Sequence, residues 1–454
     1  MQDSDSDPAS ANGGDVFILD DLPPNCTVGC DTASLNSARP FPGFRDIPAG
    51  AHLIWVTPSE SASARSGYWI YTPEKQPRHV YVKQWDKFTE VLGDPAGQPD
   101  DDDEREPSRS LLLAKTEQRS FGHLFPYNLG STAGSSSSSS QQRQQQQQQQ
   151  QRLSEEEDGD TSGLLGNQNI WYQLTLAISP KLLSRITGSQ AKADPFAWHV
   201  TTTDGLAGES GLAAEEANLY ASESSQQLRF TFPMGARLIN PDATGAERTT
   251  QALDPTRWIL DKLETRSGEY ELTDLVGEFQ FAFLVGMHLG NLSCLEQWFF
   301  LATRLVFRSF HLAVDRPQLA RNLVQTFHAQ LLYNERYLQE NVLELMPDHA
   351  RRLRLTLTTY KARLDEKISE LGDRCTPDQQ SVGIAFSSLE SWLGRLGWDL
   401  KGDYVRSGNV MLEDGEMVEA EMSDFEDEDE RGEFAPVIVE MDNGKETGLL
   451  SWDL

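Results

Sequence analysis

The sequence predicts an α+β multidomain protein: a β-rich, sandwich- or barrel-like N-terminal domain, an all-helical C-terminal domain and an extended C-terminal tail. Three observations predict it. Short runs rich in β-branched and aromatic residues, separated by Pro, Gly and Asp, fill residues 15–92. From Pro255 onward the apolar residues recur at helical intervals. Between and beyond these regions lie polar, low-complexity or strongly charged stretches that cannot bury a core.

In the first region the strands are Val16–Leu19, Ala51–Val56, Gly67–Tyr71 and His79–Val82. Their spacing suggests an antiparallel sandwich or barrel. Phe44 to Gly50 reads as the turn that feeds the second strand, with Pro48 and Gly50 as punctuation. Leu228 to Pro233 alternates and ends in proline, as a late strand closing the same sheet would. Trp171 to Ile186 repeats at helical spacing and is interrupted at Pro180, which predicts one or two short helices within this domain.

Pro255 suits a first helical turn after Asp254 as cap, and Trp258, Ile259, Leu260 and Leu263 form one apolar stripe. The run from Thr273 to Leu289 is apolar nearly all round, so it is a buried helix that Gly290 and Asn291 would end. Ser293 would cap a partner helix over Cys294–Leu312, and further helices are expected over Leu319–Leu332, Tyr337–Leu345, Arg351–Leu371 and Phe386–Leu396.

Composition explains the rest of the chain. Of 454 residues 38% are hydrophobic, against the roughly 45–50% of globular chains. The formal charge is −31, and the runs Asp94–Glu106, Ser154–Asp160 and Glu413–Glu433 together carry −22 of it. The charge therefore belongs to loops and tails, and binding to a phosphate backbone is disfavoured. The implied organisation is a disordered start over 1–14, the β-rich domain over 15–240 with disordered inserts at 93–109 and 131–166, and the helical domain over 250–401. An acidic disordered tether over 402–433 and a partner-binding β segment over 434–442 complete it. Because the Ser/Gln-rich insert 131–166 cannot bury a core, deleting it should leave the melting temperature nearly unchanged in a thermal scan. Loss of folding would make the insert structural.

Enzymatic constellations are missing. The chain has no GxGxxG, GxxxxGK[ST], GxSxG or HExxH, its eight histidines are scattered singly, and its acidic pairs fall in low-complexity runs. His288, on an apolar helix, reads as a satisfied core histidine. Cys26, Cys30, Cys294 and Cys375 form neither a disulfide framework nor a zinc site, so no cofactor or metal is expected. The aromatics sit at core spacing without interleaved Lys and Arg, which argues against direct nucleic-acid contact. No apolar run approaches the roughly 18 residues of a membrane span, and the opening lacks the features of a signal peptide. A soluble intracellular protein, monomeric alone, is expected.

One segment points to binding. After the acidic run the chain resumes as Phe434-Ala435-Pro436-Val437-Ile438-Val439-Glu440-Met441, an extended β-branched pattern. It can fold back on the first domain's sheet or add as a strand to a partner's exposed edge. Ser423 and Ser154 precede acidic residues in accessible stretches and are candidate phosphorylation sites.

Several motifs together resemble a known family. Asp15-Val16-Phe17-Ile18-Leu19-Asp20 with Pro23, Gly29-Cys30-Asp31, and Gly43-Phe44-Arg45-Asp46-Ile47-Pro48-Ala49-Gly50-Ala51-His52 resemble the start of the A1-cistron splicing factor (AAR2) family. Phe125-Pro126-Tyr127, the Trp171 helix, Leu275 to Leu284, Gly290-Asn291, Trp298 and Ala435 to Glu440 match in the same order. The resemblance implies a non-enzymatic splicing factor, working in cytoplasm and nucleus, that chaperones assembly of the U5 small nuclear ribonucleoprotein. It would bind the large U5 scaffold protein at its RNase H-like and Jab/MPN-like domains and exclude the U5 RNA helicase until maturation. It also favours strand addition to that scaffold, with Phe434, Pro436, Val437, Ile438, Val439 and Glu440 as the binding residues. A different reading makes the Glu413–Glu433 run itself the ligand, in an acidic adaptor or chaperone for basic cargo, a contact that salt would weaken steeply.

Overall fold

The structure is a computed structural model that describes residues 14–58, 65–74, 78–95, 123–127, 167–188, 196–207, 226–240, 243–264, 270–400, 407–411, 417–421, 439–442 and 445–449. The chain divides into two compact units, Met1–Pro233 with Gly277–Trp298 and Ala329–Gln339, and Met234–Val276 with Phe299–His328 and Glu340–Leu454.

The first unit holds two five-stranded sheets. One contains β1 (Asp15–Asp20), β4 (Gly43–Ile47), β7 (Val80–Asp86), β8 (Val91–Gly93) and β9 (Phe125–Pro126), in the order β8-β7-β1-β4-β9. The other contains β2 (Cys26–Cys30), β3 (Ala33–Ser37), β5 (Gly50–Pro58), β6 (Ser66–Thr72) and β10 (Ala197–Thr201), in the order β10-β6-β5-β2-β3. Phe17, Phe44 and Tyr81 of the first sheet share one buried cluster with Val28, Ile54, Val56 and Ile70 of the second, which is the sandwich the alternation predicts. The expected all-antiparallel pairing holds only for the second sheet. In the first, β1 runs parallel to β7 and β4 parallel to β9. The chain leaves that sheet after β4, builds β5 and β6 in the other, and only then returns as β7.

The stretch read as a turn before Gly50 is mostly strand: the bends are confined to single residues, Asp46 at φ 60° within β4, where the register with β1 shifts, and Gly50 at φ 131°. The late strand expected over Leu228–Pro233 is likewise short. Only β12 (Gln227–Leu228) pairs, with β11 (Gly205–Leu206), in a separate two-stranded sheet.

The second sheet is buried on its other face as well. Trp69 stacks with Trp171 of α1 (Asn167–Thr175) at 6.4 Å and with Phe281 of α5 (Asp274–Leu289) at 6.0 Å. Trp171 Nε1 donates to the Ala51 carbonyl at 2.9 Å. Ser179 then caps α2 (Pro180–Thr187), accepting from the Leu182 amide. An all-round apolar helix needs burial on every side, and accordingly residues 277–298 belong to the strand-rich unit rather than to the helical domain the sequence suggested.

The remaining helices are α3 (Gly245–Leu253), α4 (Thr256–Leu263), α6 (Leu292–Phe300), α7 (Leu312–Asp315), α8 (Pro317–Tyr337), α9 (Val342–Leu345), α10 (Pro347–Leu371) and α11 (Pro377–Arg395). The helix expected over Cys294–Leu312 instead ends at Phe300 and passes into a π-helical turn, Leu301–Val306. Its cap is Asn291, not Ser293: the Asn291 Oδ1 accepts from the Cys294 amide at 2.8 Å. The N-cap of α4 is Pro255 rather than the expected Asp254, whose carboxylate, one residue earlier, accepts from the Thr256 amide at 2.7 Å, and α11 opens with a capping box of Thr376 and Gln379. In the second unit Phe307 meets Phe327, Tyr360 and Phe386 in the core.

Within the stretch expected as an unstructured tether, β13 (Ser407–Met411) pairs antiparallel with β14 (Met417–Glu421). The register explains how an acidic segment pairs: Val410 faces Val418 and Met411 faces Met417, while Glu419 and Glu421 face Asn409 and Ser407 rather than other acids.

Candidate partner-binding site

The expected binding residues fall at the end of the chain. Phe434, Pro436, Val437 and Ile438 lie outside the described residues, as do the candidate phosphorylation sites Ser154 and Ser423. Val439 and Glu440 open β15 (Val439–Asp442), which pairs antiparallel with β16 (Lys445–Leu449). The sequence reading took the segment as a lone strand and missed its partner. The signal for that partner was Asn443-Gly444, the dipeptide most typical of a two-residue hairpin connection.

Buried ionisable groups are where chemistry would concentrate. In the strand-rich unit Lys83 reaches the half-exposed Asp94 carboxylate at 2.6 Å, while Glu278, Asp31 and His288 face backbone or packed side chains. Glu278 is fully buried on α5, and its carboxylate accepts from the amides of Thr231 at 2.7 Å and Phe232 at 3.2 Å. Gln297 Nε2 donates to the Phe232 carbonyl at 2.6 Å. These side chains occupy the backbone groups that a sheet ladder would have used, which is why the predicted late strand is not one. Burial pushes the Glu278 carboxyl up to about 7, against the opposing pull of the two amides and of Arg185, whose NH2 lies 3.7 Å away.

The same helix grips its surroundings along its length. Gly277 leaves room for the Ala177 carbonyl, which a Cβ would meet at 2.6 Å. Gln280 accepts from the Ala177 amide at 3.0 Å and donates to the Gln173 carbonyl at 2.9 Å. At its C-terminal end Arg65 donates to the His288 carbonyl and Thr202 to that of Leu289, so its last two carbonyls are satisfied by residues flanking β6 and β10. Gly290 follows at φ 63°, and Asn291 Nδ2 donates to the carbonyls of Thr201 and Asp204, both at 2.9 Å.

His288 is the satisfied core histidine expected, with Nε2 2.9 Å from the Tyr333 hydroxyl and its ring beside Trp55 and Trp171. Burial lowers it to about 3, and lowers His199 and His328 to about 4. Each is neutral when folded and charged at acid pH when unfolded, so its contribution is lost as pH falls from 6.5 toward 3–4. Glu278 and Asp204, the latter raised by burial to about 6, act in the opposite direction. Three imidazoles outweigh two carboxyls. Stability measured by denaturant titration should fall by roughly 1–2 kcal/mol per pH unit near pH 5, and a flat profile there would contradict neutral buried imidazoles.

Another polar node centres on Asp31. Its Oδ2 lies 2.6 Å from His52 Nδ1 and accepts from the Tyr127 hydroxyl at 2.6 Å, while Oδ1 accepts from the Leu53 amide at 2.9 Å. His52 Nε2 is 3.0 Å from the Pro48 carbonyl. In the helical unit a shallow cavity of about 430 Å³ is lined by Ile368, Gln380, Gly383, Ile384, Ser387, Ser388 and Ser391. The three serine hydroxyls donate to carbonyls of their own helix four residues back, so they offer no convergent polar group. Cys26, Cys30 and Cys294 are buried free thiols. Among the described residues no group of three His, Cys, Asp or Glu could hold a metal, and no helix is long and apolar enough to cross a membrane.

The geometry is thus that of a scaffold whose polar residues hold backbone, with strands at the end of the chain. Comparison with curated proteins finds no match. Two family models do match, that of the AAR2 N-terminal domain over residues 13–188 and that of the AAR2 C-terminal repeat region over residues 230–401, in chain order and together over more than half of the sequence. The chain therefore belongs to the AAR2 family of splicing-related, non-catalytic assembly factors.

Proposed function

We propose that this protein chaperones assembly of the U5 small nuclear ribonucleoprotein, working in cytoplasm and nucleus. It binds the large U5 scaffold protein across its RNase H-like and Jab/MPN-like domains and excludes the U5 RNA helicase until maturation. The observation that carries this reading is the ordered match to both AAR2 regions, followed beyond the acidic run by a strand at Val439–Asp442. The tail supplies main-chain hydrogen bonds to an exposed sheet edge of the scaffold, and alternate side chains supply selectivity.

Calorimetry with a scaffold fragment holding both domains tests it. Truncation after Glu433 should abolish most binding while leaving the melting temperature of the folded units unchanged. Proline at Val437, Ile438 or Val439 should, for at least one of them, cost roughly 1–3 kcal/mol, or about 5- to 150-fold in affinity. Full-strength binding by the truncated chain would refute strand addition. A large fall in melting temperature would show instead that the segment belongs to the chain's own fold. Binding that survives raised salt separates backbone pairing from a polyanion contact by the Glu413–Glu433 run.

A further inference from the structure

The tail ends in a hairpin, and we propose that this hairpin, with Lys445–Leu449 as a required strand, is the unit that adds to the partner's sheet edge. The inference rests on the strand-addition reading above. Three observations carry it. First, β15 and β16 pair with Val439 opposite Leu449, Glu440 opposite Gly448, Met441 opposite Glu446 and Asp442 opposite Lys445. The acid and the base beside the turn are thus directly opposed, which favours this register. Second, the connection is Asn443-Gly444, whose residues tolerate the positive φ that a type I′ turn demands at both positions. Third, among the described residues the sheet has two strands only. An isolated two-stranded hairpin is marginal in water and gains stability from a third strand.

The register also assigns the edges. A two-residue connection makes Asp442 and Lys445 a hydrogen-bonded pair, so by alternation Asp442 and Glu440 turn their backbone groups toward β16. Val439 and Met441 turn theirs to the open edge, where the partner's strand pairs. The irregularity between Glu440 and Met441 leaves Thr447 as an extra residue on β16, so the alternation along β15 is undisturbed.

The test compares the full chain with three variants in calorimetry against the same scaffold fragment. Truncation after Asp442 removes β16 but keeps residues 434–442, and it should weaken binding at least tenfold. The double substitution Asn443→Val with Gly444→Val keeps every strand residue but denies the turn its conformation, and it should do the same. Hydrogen exchange of the complex should show protection of both 439–442 and 445–449. If both variants bind at full strength while truncation after Glu433 abolishes binding, the hairpin is wrong and single-strand addition stands. Full-strength binding after truncation at Glu433 overturns the strand-addition reading and the hairpin with it.

Discussion

Replacing Glu278 by alanine should lower the melting temperature by roughly 10 °C, since its loss is expected to cost about 2–6 kcal/mol at roughly 2–4 °C per kcal/mol for a unit of this size. The reasoning is one of orphaned donors. Glu278 is fully buried, and its two oxygens are the acceptors for the Thr231 and Phe232 amides. Each buried amide left without an acceptor costs about 1–3 kcal/mol. A second readout separates this role from mere loss of volume. The carboxyl sits at about 7 in the folded state against 4.5 when unperturbed, so the folded chain holds the proton across that window. Its contribution is therefore fully present below pH 4.5 and is lost as pH rises to 7, an effect of at most about 3 kcal/mol. Glu278→Gln, which mimics the protonated acid, should be milder than alanine and should remove that pH dependence. A wild-type profile unchanged by the glutamine variant would show that Glu278 does not titrate in this range.

The clamp made by Glu278 also marks how far the sequence could be read. The strands β1, β5, β6 and β7 were legible because their apolar residues cluster between turn formers, and the apolar helix before Gly290 because nothing else accommodates such a run. The hairpin of β2 and β3 was not, since Cys26-Thr27-Val28-Gly29-Cys30 and Ala33-Ser34-Leu35-Asn36-Ser37 are mixed and small, and their turn depends on Asp31 at φ 54°. Phe230 and Phe232 alternate like a strand, yet the groups that pair with the backbone of Thr231 and Phe232 are side chains from residues 278 and 297, a contact that no local pattern encodes. Asn291 was credited with ending one helix, but its larger part is to cap the next and to hold the carbonyls of Thr201 and Asp204. At the end of the chain the β-branched residues announced β15, whereas β16, Lys445-Glu446-Thr447-Gly448-Leu449, is signalled only by the turn before it.

The heaviest loss is expected at Asp31. Alanine there removes the acceptors for the Tyr127 hydroxyl, His52 and the Leu53 amide, all within hydrogen-bond reach, from a residue 2% exposed. It also places a Cβ-bearing residue without a polar side chain at positive φ, where Asp and Asn are better tolerated. The sum is about 4–6 kcal/mol, or a fall of roughly 15 °C, so this variant can fail to fold. Two milder variants keep the idea testable. Asp31→Asn retains the turn conformation and one acceptor, and should cost about half as much. Tyr127→Phe removes a single hydroxyl and should cost about 1.5–3 kcal/mol, because the bond it loses is to a carboxylate. Its effect should also be local. Residues 123–127 are attached by the two-residue pairing of β9 with β4, by the Tyr127 amide donating to the Arg45 carbonyl at 2.9 Å, by Arg45 Nε donating to the Leu124 carbonyl, and by Phe125 stacked on Phe41 at 4.6 Å. The Tyr127 hydroxyl adds the one bond to a fully enclosed acid. Amide exchange at 124–127 should therefore accelerate about tenfold or more in Tyr127→Phe, which corresponds to roughly 1.4 kcal/mol of local stability, while exchange in β1 and β5 changes far less. Equal acceleration throughout would make Asp31 a node of the whole unit rather than the anchor of this segment, and no acceleration at 124–127 would show that the strand pairing and the Phe41 contact suffice to hold it.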